Sequence, residues 1–218
     1  MIQQVGNFIK YFVIAFILFC LYIYYSNYHS ELVHVKSTVD DSLYLVRNLE
    51  NKQKAADILA VINAKLVKMV DIVQEEKSKE DSYCTRSIEI LKERFRKDRI
   101  SESPADAEYT SYSVNKGEKI FFCIRSKDEK LELVDENTLT FVALHELAHV
   151  MTRSVGHTKE FWNNFKYLLR HAIKNGVYSY QKFSENPKKY CGMTITDTPY
   201  TPGKDDEKPE KNETKSCY

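Results

Sequence analysis

Between Leu144 and Trp162 the chain reads LHELAHVMTRSVGHTKEFW, which holds three histidines and two glutamates. His145-Glu146-Leu147-Ala148-His149 within it is an H-E-x-x-H. On a helix, residues four apart lie one turn apart on one face, so both imidazoles can converge on one Zn2+ at about 2.0–2.1 Å each. Glu146 is adjacent but rotated away from direct ligation, the place for a general base acting on a water that the metal activates. A catalytic zinc takes a third protein ligand and keeps a fourth position open. His157 leads for that role, because Gly156 permits a sharp reversal and His157 stands at the entrance of the next helix. Glu160 is its rival, since a carboxylate can fill the same place. His29 and His34 are remote, and His171 lies deep in the last helix; all three are read as non-ligands.

The bland alternative is a core helix whose histidines bond to backbone or carboxylates, because a five-residue match has a real false-positive rate. Against it, the match sits on a capped helix after a hairpin and is followed by another His, His157, and it is surrounded by Phe141, Val142, Ala143, Leu144, Leu147, Ala148 and Val150. They make the helix apolar nearly all round and therefore buried. Buried His and Glu need partners, and one metal serves all of them.

The elements around the motif are legible from periodicity. Asp135 or Asn137 can cap a helix from about Thr138 to Arg153, and a second helix from Thr158 carries Phe161, Phe165, Leu168 and Ala172 before stopping at Asn175-Gly176. Upstream, ELVHVKSTVDDSLYLVRNL alternates around Asp40-Asp41, which predicts a hairpin of Leu32–Val39 and Ser42–Arg47. Ala55, Leu59, Ile62, Leu66, Met69 and Val73 mark one face of a long helix. Cys84, Ile88, Leu91 and Phe95 mark another. SESPADAE (Ser101 to Glu108) reads as a polar loop. YTSYSV and KIFFCIR, separated by NKGE, predict a second hairpin. The class is α+β, a small domain over residues 31–198 with helices, a short antiparallel sheet and a buried H-E-x-x-H helix.

At the amino terminus, FIKYFVIAFILFCLYIYY (Phe8 to Tyr25) is apolar apart from Lys10. A span needs about 20 apolar residues, with tolerance to about 17. The expectation is a transmembrane helix over residues 8–27, after a tail of 1–7, making a single-pass membrane protein that contacts the lipid bilayer through 8–27. Lys10 would snorkel and Tyr22, Tyr24 and Tyr25 would meet the opposite interface. YIYYSNYHS is a poor cleavage site, which disfavours a signal peptide. Sidedness is left open, because Lys10 on one side and Lys36 with Glu31 on the other give no charge bias. The tail 199–218 is charged and nearly free of apolar residues, so disorder is expected there. It holds a glycosylation sequon at Asn212-Glu213-Thr214.

Cys20, Cys84, Cys123, Cys191 and Cys217 form no C-x-x-C pair and are read as free, mostly buried thiols. A net charge of +1 provides no basic footprint, so no nucleic-acid partner is expected. Oligomeric state is not legible.

FVALHELAHVMTRSVGHTKEFW resembles the zincin metallopeptidases of the WLM and SprT-like kind. YTSYSVNKGEKIFFCIR before it and the YCG…TDTP segment after it extend the likeness over Val33 to Pro202. The resemblance implies that the domain is zincin-like, a zinc-dependent peptidase with one catalytic Zn2+ on His145, His149 and His157, and with Glu146 as general base and acid. The interval from His149 to His157 is longer than in metzincins. The crosslink substrates of nuclear relatives are not carried over. The expected reaction is hydrolysis of a protein or peptide substrate, in which Glu146 takes a proton from water and returns it to the leaving amine. A strand of the second hairpin could take an extended peptide. Tyr190 and Tyr112 are candidates for stabilising the oxyanion, and neither is assigned. The other readings are a membrane-tethered zinc-binding domain without peptidase activity and a metal-dependent hydrolase of a non-peptide substrate.

Overall fold

The apolar stripe from Ala55 to Val73 becomes the axis on which the other elements pack. The computed structural model describes residues 2–28, 31–80, 82–206 and 217. Helix α1 spans Ile2–Tyr28. The folded body begins with the antiparallel pair β1 (Leu32–Lys36) and β2 (Leu43–Arg47), in register with Val33 opposite Val46. Helix α2 (Lys52–Glu76) buries Ala55, Leu59, Ile62, Leu66, Met69 and Val73 along one stripe, as its period of three and four dictates. It packs on α3 (Ser82–Arg94), α4 (Glu136–Met151) and α5 (Lys159–Lys174), and against β2 and β3.

The sheet has five strands in the order β1-β2-β3-β5-β4. β3 (Ile100–Glu102) runs parallel to β2 and β5 (Lys119–Phe122), so the sheet is mixed rather than antiparallel as expected, and β4 (Tyr112–Val114) closes it antiparallel to β5. Tyr44, Val46, Ile100, Ile120 and Phe122 turn inward into the core. A separate hairpin, β6 (Lys188–Tyr190) and β7 (Met193–Ile195), follows α5.

Part of the stretch expected as a polar loop is therefore the central strand β3. Its Glu102 is buried, and it is tolerated there because Arg125 donates Nε to it at 2.7 Å and the Arg47 backbone N–H donates at 2.7 Å. Arg125 also bonds the Asn51 side chain.

The expected anchor needs correction. The run is helical, but among the described residues no helix is long and apolar enough to cross a membrane. The transmembrane helix over 8–27, and the single-pass membrane placement that followed from it, fall with that finding. Between Lys10-Tyr11 and Tyr22 the unbroken apolar stretch is only Phe12–Leu21. Those ten residues reach roughly 15 Å at 1.5 Å per residue, against a hydrocarbon core of about 30 Å.

The thiols differ from expectation too. Cys84 is bonded to Cys217, and Cys123 to Cys191, while Cys20 is free and exposed. Of the tail, Tyr200 is buried and donates its hydroxyl to Asp206 at 2.7 Å, and Asp205 pairs with Lys166 of α5 at 2.5 Å. The sequon at Asn212 lies outside the described residues.

Candidate metal centre

Helix α4 is started by Asp135, whose carboxylate accepts from the Thr138 N–H at 2.9 Å and from its hydroxyl at 2.7 Å. Asn137, the other candidate cap, instead exchanges two bonds with Ser179. Downstream, Thr158 caps α5 by accepting from the Phe161 N–H. The segment between the two helices returns the chain so that His157 faces the H-E-x-x-H turn.

Among the described residues one group could hold a metal ion, and it is His145, His149 and His157, with their ring nitrogens within 4.8 Å of one another. The Nε2 atoms of His145 and His157 are 3.1 Å apart. Aromatic rings fix the imidazoles from behind: Phe161 stacks on His149 at 4.3 Å between centroids, and Phe165 meets His145 edge-on at 5.2 Å. Burial, then the neighbouring His149 and His157, push His145 down to about 3. Burial, then His157 and Lys116, push His149 down to about 4. Both rings are thus neutral at pH 7, the form that binds a metal.

Glu146 is 3% exposed, and its Oε2 is buried without a hydrogen-bond partner. Burial pushes its carboxyl up to about 8. Three converging imidazoles, two of them held neutral, are a donor set that a divalent cation fits, with the unpartnered Glu146 oxygen beside them.

Glu160 is not in the group. Its carboxylate accepts from the backbone N–H of Arg153 and Ser154 at 3.2 and 3.0 Å, from the Ser154 hydroxyl at 2.8 Å and from Arg153 Nε at 3.1 Å. Burial acts to raise its pKa, but the bonds from Ser154 and Arg153 outweigh this and hold it at about 2. It ties down the interhelical segment instead.

The histidines open on a cleft of about 750 Å3. Phe141, Val142 and Glu146 of α4 form one wall, β4 with Tyr109–Ser111 a second, and Tyr190, Met193 and Ile195 of the last hairpin a third. In the sheet order β4 has a strand neighbour on one side only.

The WLM domain profile matches residues 84–217, which is more than half of the chain. The chain belongs to the WLM family. This is a metallopeptidase-like family, zinc-dependent in general. An uncharacterized protein of Acanthamoeba polyphaga mimivirus is 36% identical over 166 residues, covering 76% of this chain and 83% of the relative. An uncharacterized protein of Invertebrate iridescent virus 6 is 43% identical over 82 residues, 37% of this chain and 44% of the relative. The crystal structure of Wss1 from Saccharomyces cerevisiae is similar over 58% of this chain and 84% of that one, with a TM-score of 0.37 and 22% identity.

In this WLM domain both candidate tyrosines line the cleft. Tyr190 is 1% exposed, and its hydroxyl is 2.6 Å from Ser111 Oγ, which also accepts from the Cys123 N–H at 3.1 Å. Ser111, Met193 and Ile195 were not singled out from the sequence. The signal for Ser111 was the YTSYSV strand, and for Met193 and Ile195 the YCG segment, whose Cys191 and Gly192 carry the chain through a turn at φ 48° and 85°.

Proposed function

We propose that this WLM domain is a zinc-dependent metallopeptidase acting on extended polypeptide, with His145, His149 and His157 as metal ligands and Glu146 as general base. One observation carries the reading: three imidazoles converge within 4.8 Å beside a buried glutamate whose Oε2 has no partner. A bound zinc would supply Lewis acidity there, polarising a carbonyl and lowering the pKa of water.

The chain's own residues supply the rest. His145 and His149 are held unprotonated and need release no proton to act as ligands. With a cation beside it, the Glu146 carboxyl is drawn back towards its ionised form. It then accepts a proton from water and later returns it to the leaving amine nitrogen. The outer edge of β4 aligns an extended peptide by main-chain hydrogen bonds. Phe141, Val142, Met193 and Ile195 favour apolar side chains on either side of the scissile bond.

The test is zinc content and cleavage of a mixed peptide library by the full chain, in wild type and Glu146→Gln. One zinc in both, with hydrolysis reduced about 10²–10⁴-fold in the variant, is expected. Zinc without cleavage of any peptide would reduce the protein to a metal-binding domain. Loss of zinc in the variant would overturn the role given to Glu146.

A further inference from the structure

Helix α4 ends without a glycine. Thr152, its C-cap, is extended, so the last carbonyls need partners from outside the helix. Thr152 supplies two of them, its N–H to the His149 carbonyl at 3.3 Å and its hydroxyl to the Ala148 carbonyl at 2.7 Å, and two cations bind carbonyls at and just past the helix end. Arg94, at the end of α3, donates Nη1 to the carbonyls of Val150 and Thr152 at 3.4 and 3.1 Å. Lys116 does more, donating Nζ to three consecutive carbonyls, Thr152, Arg153 and Ser154, at 3.0, 2.5 and 2.6 Å. An ammonium has three N–H donors, and here there is one acceptor for each.

Lys116 reaches across from the turn between β4 and β5. Asn115, Lys116 and Gly117 all have positive φ, 46°, 54° and 108°. A Cβ on Gly117 would stand 2.9 Å from Val150 Cγ1 and 3.1 Å from the Arg94 carbonyl. Only glycine allows this turn to sit so close on the last turn of α4. Lys116 keeps a left-handed backbone that side chains adopt only where their surroundings over-determine it.

The three gathered carbonyls lie between His149 and His157. We propose that Lys116 is the positioning residue for the third zinc ligand. By collecting residues 152–154 on one ammonium it bends the chain off the end of α4, returns His157 towards His145, and couples that ligand to the strand edge lining the same cleft. The proposal rests on His157 being a ligand. Acting as a charge alone, Lys116 would oppose a cation on the histidines, so its removal would tighten zinc binding. Acting as a positioner, its removal loosens binding. The two roles differ in sign.

Zinc affinity of the full chain, measured by competition with a chromogenic chelator, separates them. Lys116→Met should weaken zinc about 10- to 100-fold, the range for residues that orient ligands. Lys116→Arg, which keeps the charge and the donors, should restore most of it. In a His157→Ala background, Lys116→Met should add no further loss, since the two act as one unit. Should Lys116→Met fail to fold, Lys116→Gln takes its place, with the same order expected. Unchanged or tighter zinc binding in the folded variant overturns the proposal, as does a full further loss in the His157→Ala background. A wild type that binds no zinc overturns the three-histidine reading itself.

Discussion

The wall of the cleft that carries His145 and His149 is α4, where Phe141, Leu144, Glu146, Leu147 and Val150 are all buried. The wall that faces it is a hairpin of two three-residue strands, with Met193 half exposed and Tyr190 as the buried side chain of its first strand. A lone two-stranded hairpin is marginal in water, so this one is held by attachments. The Cys123–Cys191 disulfide, the Tyr190–Ser111 hydrogen bond and a Thr110 hydroxyl contact to Met193 Sδ at 3.7 Å fasten it to the end of β5 and the start of β4. One wall is part of the core, and the other is appended to it. Ligand geometry and substrate fit should therefore separate under mutation.

The largest expected effect is from cutting the main attachment. Cys123→Ala with Cys191→Ala removes a bridge over a sequence separation of 68, worth about 4 kcal/mol in the chain-entropy account. Denaturant unfolding should show that loss, and peptide KM should rise while zinc stoichiometry stays at one. A parallel loss of zinc would show that the two walls are not independent.

Glu160→Ala works from the other side. It strips the acceptor from four donors in the segment before His157. The expected cost is about 2 kcal/mol of stability, with zinc weakened less than by His157→Ala. Equal zinc loss in the two variants would make the carboxylate a ligand after all.

Acid and base should expose the buried wall in the metal-free protein. His145 and His149 sit at about 3 and 4, against 6.5 for histidine in the unfolded chain. The unfolded chain then binds more protons below about pH 6.5, and stability falls as pH drops from there. Glu146, raised from 4.5 to about 8, runs the other way. The folded state keeps a proton that the unfolded chain has released, so stability falls as pH rises towards 8. The thermal midpoint should peak near about pH 6.5, and Glu146→Gln should remove the alkaline fall alone. A profile flat from about pH 5 to 8 would mean these groups are solvated.

Tyr190→Phe is the smallest change. Losing its bond to Ser111 should cost about 1 kcal/mol and raise KM with kcat nearly intact. A collapse of kcat instead would put that hydroxyl in the chemistry.

What was legible in the sequence follows the same division. The H-E-x-x-H motif could be placed on a buried helix because its apolar residues surround it, and α2 because its stripe repeats over six residues. Capping chemistry narrowed the start of α4 to Asp135 or Asn137, and the second helix was placed from Thr158, which is its cap. β3 was hidden because three residues carry no readable period, and its buried Glu102 is made tolerable by Arg125, far along the chain. The last hairpin was hidden for the same reason, and its fastening depends on which cysteines meet, for which four thiols allow three pairings. Helix α1 was misjudged by counting tyrosines and Lys10 into an apolar span.

The second bridge, Cys84–Cys217, makes the segment from 84 to 217 a closed covalent ring, and this is the segment that the WLM profile matches. His145, Glu146, His149 and His157 all lie inside it. A single cut anywhere in that ring, including one the protein makes in itself, leaves its two ends joined. Such a nick would run as one band on a gel until a reductant is added, and as two bands afterwards.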